Sequence, residues 1–321
     1  MFIPRMLASM ISPGGKGAAL SILIFHRVLP VRDPLFPEEM DVARFDELLG
    51  WIGKCFTVLR LEAAVEMQMQ GTLPSRAVAI TFDDGYADNY TVALPILKKH
   101  GMSASFFIAT GFLDGGRMFN DTIINVVRQF DGNELDLRPL GLGRFETRTI
   151  TQRRKAIDAL LPVFKYLPLE ERAHRISILQ EQVDLPLPDD LMMTAAQVRG
   201  LRSEGMTIGG HTCTHPILSK LDDESAFHEI GAGKEALERI LAEPISLFAY
   251  PNGVPGRDFL PQHVAMVREL GFSAAFTTSA GVARHGSDIY QLPRFTPWDR
   301  TRLRFGLRMV NNLRSLGKVV A

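Results

Sequence analysis

The sequence predicts a parallel α/β fold, and three observations carry the prediction. The chain has 321 residues, enough for one large α/β barrel or two ordinary domains. Short apolar runs alternate with helical patterns along most of it, and that alternation implies a parallel sheet covered by helices. Carboxylates and histidines follow directly after several of the apolar runs, where parallel folds place their sites. A barrel is the natural closure at this length, although periodicity by itself does not separate it from an open, doubly wound sheet.

Six runs read as buried strands: Leu20–Phe25, Val78–Phe82, Ala104–Ala109, Met206–Gly209, Ser246–Tyr250 and Phe272–Thr277. Glycine, proline and polar turns bound them. Among the helices, one follows Asp222 and Asp223, which suit a cap, and carries Phe227, Ile230, Leu237 and Leu241 at helical spacing. The barrel is expected over residues 18–299. It is interrupted at 115–191 by a charged insertion that reads as helical, with no clear strand.

Both ends are distinctive. Met1 to Ile11 is short and apolar, holds Arg5, and lacks the long apolar core and cleavage site of a signal peptide. A cytoplasmic location, or a peripheral one at the inner membrane face, is the expectation. No stretch approaches the roughly 18 apolar residues of a membrane span. Residues 300–321 form a basic tail with six basic residues and no acidic one. Phe305, Met309, Leu313, Leu316 and Val320 recur there at helical spacing, so peripheral contact with anionic lipid competes with packing as a last helix.

Composition excludes some function classes. Lys+Arg and Asp+Glu each number 36, so a general nucleic-acid-binding surface is not expected. The two cysteines, Cys55 and Cys213, rule out a disulfide framework and a cysteine-rich zinc site.

Three constellations carry chemistry. In Thr81-Phe82-Asp83-Asp84-Gly85-Tyr86, two adjacent carboxylates end a strand. They repel, and a cation that takes one and leaves the other as a base would resolve the conflict. The competing reading is a capped helix start. In His211-Thr212-Cys213-Thr214-His215-Pro216, two histidines at i and i+4 fall on one face of a helical turn and can chelate one ion. Two histidines and one carboxylate leave positions open for water and substrate. Cys213 is expected to point away as a small packing residue. In Phe248-Ala249-Tyr250-Pro251-Asn252-Gly253, a strand enters a turn whose N–H groups could hold an oxyanion.

In this order, the three motifs resemble the polysaccharide deacetylase family, also called carbohydrate esterase family 4 or the nodulation-factor deacetylase homology group. The third motif departs from the Arg-x-Pro-Tyr form of many members, so no arginine role carries over to it. The resemblance implies a distorted (β/α)7 barrel and a divalent metal held by Asp84, His211 and His215. Zinc suits that ligand set best, with cobalt, nickel or iron as substitutes. Asp83 would be the general base that activates the attacking water, and the Tyr250 N–H would help hold the oxyanion.

Many members carry a general acid in a C-terminal Leu-x-His motif, which is missing here, since His285 lies in Arg284-His285-Gly286. Ile24-Phe25-His26-Arg27-Val28 instead resembles the N-terminal motif of permuted members, and assigns the acid to His26. A satisfied strand-end histidine is the competing reading. Arg294, in Leu292-Pro293-Arg294-Phe295, and Asn252 are assigned to substrate binding, with an ion pair to Asp83 as the other role for Arg294. Asn120-Asp121 reads as a helix cap in the insertion. His100, His174, His228 and His263 receive no function.

The implied activity is hydrolysis of N-acetyl groups on the amino sugars of a polysaccharide or oligosaccharide, with a carbohydrate as the partner molecule. Two other readings stand beside it. One is deacetylation of a lipid-linked or precursor sugar at the membrane face. The other is an inactive member that only binds glycans, against which the intact Asp83, Asp84, His211 and His215 speak.

Overall fold

The computed structural model describes residues 2–183 and 186–320. Residues 1, 184, 185 and 321, which fall in the expected N-terminal segment, insertion and tail, lie outside the described residues. The strands are β1 (Ala19–Phe25), β2 (Thr57–Val58), β3 (Ala77–Phe82), β4 (Ser105–Ile108), β5 (Glu134–Asp136), β6 (Arg144–Glu146), β7 (Thr207–Gly210), β8 (Leu247–Ala249), β9 (Ala274–Phe276) and β10 (Ala283–Arg284). The helices are α1 (Phe2–Ile11), α2 (Val42–Cys55), α3 (Leu61–Gln70), α4 (Leu94–Lys99), α5 (Phe119–Gln129), α6 (Ile150–Lys165), α7 (Leu169–Gln180), α8 (Ala195–Ser203), α9 (Asp223–Leu241), α10 (Pro261–Glu269) and α11 (Arg302–Asn312).

All six expected strands form, with ends shifted by one or two residues. They pair in parallel in the order β1-β3-β4-β7-β8-β9. The short β10 adds antiparallel to β1. Between β9 and β1, the segment Leu292–Phe295 supplies a seventh, irregular position: Leu292 bridges Phe276 and Phe295 bridges Leu23, both in parallel. The sheet is thus a distorted seven-membered barrel whose last member is held by a few bonds only.

Strand alternation decides what fills it. Ile22, Ala79, Phe107, Ala249, Phe276 and Leu292 belong to one buried cluster and come from β1, β3, β4, β8, β9 and the closing segment, so they line its interior. Two residues beyond Ala79 on the same face is Thr81, and two further is Asp83. The alternate set, including Leu23, Phe25, Phe82 and Phe106, packs outward into the larger core beneath the helices. Helix α9 illustrates the local logic: Asp222 accepts from the Ser225 N–H at 2.8 Å and caps it, while Ala226, Ile230 and Leu237 are buried on one face.

One expectation needs correction. The insertion does contain strands: β5 and β6 form an antiparallel hairpin beside α5, α6 and α7. These are three-residue strands, too short to leave a period-2 signal. The layer has its own core, in which Ile123, Val126, Leu135, Ile157, Leu160 and Phe164 are buried. In the tail, Phe305, Met309 and Leu313 of the apolar stripe are buried in the main core, Val320 packs against it, and Leu316 is exposed. Helix α11 packs on α1, and Leu303 and Leu307 are its exposed apolar residues. Burying the larger stripe against protein removes more apolar surface from water than the other face could.

Candidate metal centre

The site lies where the parallel strands end. Asp83 and Asp84 follow β3, His211 follows β7, and His215 closes the turn after it. Four of the seven non-glycine residues with positive φ among the described residues sit in these motifs: Asp84 (76°), Thr212 (64°), His215 (54°) and Asn252 (59°). Such conformations cost energy and persist only where the surroundings over-determine them. Two of the four, Asp84 and His215, turn their side chains to one point shared with His211.

The two histidines therefore meet differently from the expected helical turn. Thr212 and His215 are left-handed, and the loop is tied from outside. The Cys213 and Thr214 N–H groups donate to the Glu229 carboxylate at 3.0 and 2.8 Å, and the Thr214 hydroxyl donates to it at 2.7 Å. Glu229 lies on α9, which approaches so closely that a Cβ on Gly233 would sit 2.6 Å from the Thr212 carbonyl group. Gly85, at φ 92°, likewise leaves room beside Ile108, whose Cγ2 would lie 3.0 Å from an added Cβ. Cys213 is half-buried against Gly111, as a small packing residue should be.

The donor set suits a divalent cation. The ligand atoms of Asp84, His211 and His215 lie within 4.8 Å of one another. Asp84 Oδ1 is 3.5 Å from His211 Nε2 and 3.4 Å from His215 Nε2. Ligands about 2.1 Å from a tetrahedral ion would stand about 3.4 Å apart. Asp84 Oδ1 is also a buried acceptor with no hydrogen-bond partner, an arrangement that a cation would satisfy. His211 Nδ1 is 2.7 Å from the Ala249 carbonyl oxygen, which leaves Nε2 free to coordinate.

Electrostatics agree with that reading. Burial works against ionisation of Asp84, but His211 and His215 more than offset it and hold its pKa well below the carboxylate range. Burial lowers the His215 pKa to about 4 against the opposing charge of Asp84, so the ring is neutral and ready to bind. His211 is pushed the other way: burial lowers it, but the charges of Asp83 and Asp84 raise it further. Two buried carboxylates draw positive charge to this point.

Arg294 corrects the assignment to substrate binding. Its side chain is 0% exposed inside the barrel, where Nη1 and Nη2 donate to the two Asp83 oxygens at 2.6 and 2.7 Å. Nε donates to the Thr277 carbonyl at 3.0 Å. The fork is filled by protein, leaving nothing for a sugar. Burial raises the Asp83 pKa, yet Arg294 and His211 outweigh it and keep the carboxylate ionised. Asp83 Oδ2 lies 3.9 Å from His211 Nε2, beside the candidate metal position.

Tyr250 is corrected too. Its N–H donates to the Phe276 carbonyl at 3.1 Å within the sheet, and its hydroxyl donates to the Tyr290 carbonyl at 3.1 Å. A donor committed to the ladder cannot turn to an oxyanion. Asn252 sits two residues further along the turn, half-buried, with its carbonyl accepting the Thr278 hydroxyl at 2.6 Å.

A cavity of about 600 Å³ opens beside Asp84 and is also lined by His26, Tyr86, Asp121 and Trp298. His26 is exposed there, with its carbonyl accepting from Asn89 Nδ2 at 2.8 Å. Sequence reasoning missed the residues behind it. Asp88 is buried and accepts from Arg27 Nε at 2.7 Å and the Val28 N–H at 3.1 Å, which pins the loop carrying His26 to the start of the β3–α4 connection. The run Asp-Gly-Tyr-Ala-Asp-Asn held that signal in its second acidic residue. The helix-cap reading of Asn120-Asp121 fails as well. Met118 is the N-cap of α5, and the Asp121 carboxylate turns away to Tyr86.

The chain matches the family model described as Polysaccharide deacetylase over residues 70–135 and 151–275. That range holds Asp83, Asp84, His211, His215 and Asp121, whereas His26 and Arg294 lie outside it. YxkH of Bacillus subtilis (strain 168), whose name assigns it provisionally to the polysaccharide deacetylases, is 37% identical over 281 residues, covering 87% of this chain and 71% of that protein. Among solved structures, the Streptococcus pyogenes deacetylase PplD in complex with acetate superposes with a TM-score of 0.62 at 18% identity, over 93% of this chain and 99% of that one. IcaB from Ammonifex degensii gives 0.60 at 18% identity, over 95% and 99%. At such identities these likenesses speak for the fold alone.

Proposed function

The chain belongs to the polysaccharide deacetylase family, and we propose that it is a metal-dependent hydrolase that removes N-acetyl groups from the amino sugars of a polysaccharide or oligosaccharide, releasing acetate. The observation that carries the metal dependence is the convergence of Asp84, His211 and His215 on one point, with Asp84 Oδ1 buried and unpartnered. Zinc suits two imidazoles and a carboxylate, and cobalt, nickel or iron also fit. A cation bound there would polarise the acetyl carbonyl and make water more acidic.

The other steps fall to this chain's own side chains. Asp83, fixed by both arms of Arg294, accepts the proton of the attacking water. Its depressed pKa makes it a weak base, which suffices where the water is already acidified. The Asn252 N–H follows Pro251, which has no N–H, and is the strand-end donor we assign to the developing oxyanion in place of Tyr250. His26 donates a proton to the departing sugar nitrogen. Its exposure on the cavity wall, with Asn89 holding its backbone, suits a group that must exchange protons with solvent.

One observation favours a second reading, a lipid-linked or precursor sugar handled at the inner membrane face. The cavity wall is rich in apolar side chains, and two of them, Val31 and Trp298, remain exposed to solvent.

The test is acetate release from an N-acetylglucosamine oligomer, run beside Asp83→Asn and metal analysis of both proteins. The variant is expected to keep its metal and lose turnover by about 10²–10⁴-fold. Near-normal turnover in the variant would move the base elsewhere, and release from lipid-linked sugars alone would favour the second reading.

A further inference from the structure

The cavity beside Asp84 has two walls of different origin. One is the barrel end, and the other is α5 of the insertion. From that second wall Asp121 enters the site, a buried carboxylate that the chemistry above does not use.

Asp121 is 4% exposed. Its two oxygens receive the Tyr86 hydroxyl at 3.4 and 3.1 Å, and no other donor reaches them among the described residues. One hydroxyl fills one of about four acceptor positions on a carboxylate. Nor is a cation paired with it directly. The nearby Arg27 lies over the Tyr86 ring at 4.6 Å, with its Nε donated to Asp88. Asn120 Nδ2 donates to the Tyr86 hydroxyl at 3.5 Å and so reinforces Tyr86 without satisfying Asp121.

A buried carboxylate with open lone pairs is costly unless something supplies donors. Burial accordingly raises its pKa to about 6. Tyr86 lies two residues after Asp84, so the Asp121–Tyr86 pair is fixed relative to the metal position. Beside Arg27, Asn120 and Asn125, the cavity wall carries the apolar side chains of Ile124 and Leu161 from the insertion and Trp298 from beyond the closing segment. Apolar walls with a few placed acceptors suit a pyranose ring, which has apolar faces and hydroxyl edges.

We propose that Asp121, held by Tyr86, is a specificity-determining residue that accepts a hydrogen bond from a hydroxyl of the amino sugar whose acetamido group sits at Asp84, His211 and His215. This rests on the deacetylase reading above. The insertion thereby gains a function of its own, since the barrel end carries the reaction while α5 selects the sugar that reaches it.

The experiment measures acetate release by the full chain and by Asp121→Ala, on an N-acetylglucosamine oligomer and on its 3-, 4- and 6-deoxy analogues. Metal content and thermal unfolding are followed in parallel. Asp121→Ala is expected to raise KM about ten- to a hundredfold, the size of one hydrogen bond to a charged group, with kcat within about threefold and metal unchanged. One deoxy analogue is expected to be a poor substrate for the wild type and insensitive to Asp121→Ala, a coupling that a merely structural role would not produce. Asp121→Asn, which keeps one acceptor, is expected to fall between. An unchanged KM in Asp121→Ala, or an equal loss on the parent and every deoxy sugar, overturns the proposal while leaving the deacetylase reading intact. Absence of acetate release by the wild type overturns that reading, and the proposal with it.

Discussion

The barrel end and the insertion wall face each other across one cavity, and they hold their functional side chains in opposite ways. At the barrel end, Asp83 has both oxygens on Arg294, His211 is braced by Ala249, and the loop between the histidines hangs on Glu229. Its backbone is left-handed at Asp84, Thr212 and His215. At the insertion wall, Asp121 projects from an ordinary helix, rests on a separate small core, and touches the rest of the site through one hydroxyl. The positions proposed to hold an ion are over-determined. The position proposed to meet a sugar hydroxyl rests on a helix and one tether.

The largest expected effect tests the rigid side. Asp84→Ala and His211→Ala each remove a converging donor, and both are expected to lose most bound metal and at least about 10³-fold of activity. Ile124→Ala on the opposite wall is expected to retain full metal. Metal analysis of the purified variants checks this, and full occupancy in Asp84→Ala would break the contrast.

Arg294→Ala comes next. It leaves Asp83 charged and buried without its partner, and is expected to destabilise the fold by about 3–5 kcal/mol. Denaturant unfolding measures it. A loss below about 1 kcal/mol would mean that Asp83 is held by something else.

The insertion wall is expected to respond to pH in a defined direction. Burial raises the Asp121 pKa to about 6, against about 3.9 in an unfolded chain. The folded state therefore binds the proton more tightly, so stability is full below about pH 4 and falls as pH rises toward 6. Asp121→Asn removes that ionisation. It is expected to raise stability by about 1–3 kcal/mol at pH 7 and to change little at pH 4, as read from unfolding curves at both values. No difference between the two pH values would show that Asp121 is better solvated than its surroundings imply.

The smallest effects belong to α11. Leu303→Ser and Leu307→Ser alter exposed residues and are expected to stay within about 0.5 kcal/mol of the wild type, whereas Met309→Ala is expected to cost about 2–5 kcal/mol. A cost for Leu303→Ser equal to that of Met309→Ala would reverse the assignment of the buried face.

Legibility follows the same division. The strands are visible in the sequence because runs such as Ala19–Phe25 are buried on both faces and so read as unbroken apolar stretches. Asp83, Asp84, His211 and His215 are visible because each lies at or just after a strand end and the residue types admit few other uses together. Arg294 stands out, but its partner stays open, since a separation of 211 positions from Asp83 carries no signal of contact. Tyr250 misleads because a strand-end residue looks the same in sequence whether its N–H is paired or free. Asp121 reads as a cap because its true partner, Tyr86, lies 35 residues away.

The sequence by itself determined the alternation of strand and helix, the candidate metal triad, the adjacent carboxylate and the family resemblance, because each rests on local pattern and residue chemistry. Only the tertiary structure decided which oxygen stays unpartnered, that Arg294 holds Asp83 and leaves the substrate alone, which face of α11 is buried, and that the insertion delivers Asp121 to the cavity. Those outcomes depend on contacts between distant segments, where several partners are chemically acceptable and packing selects one.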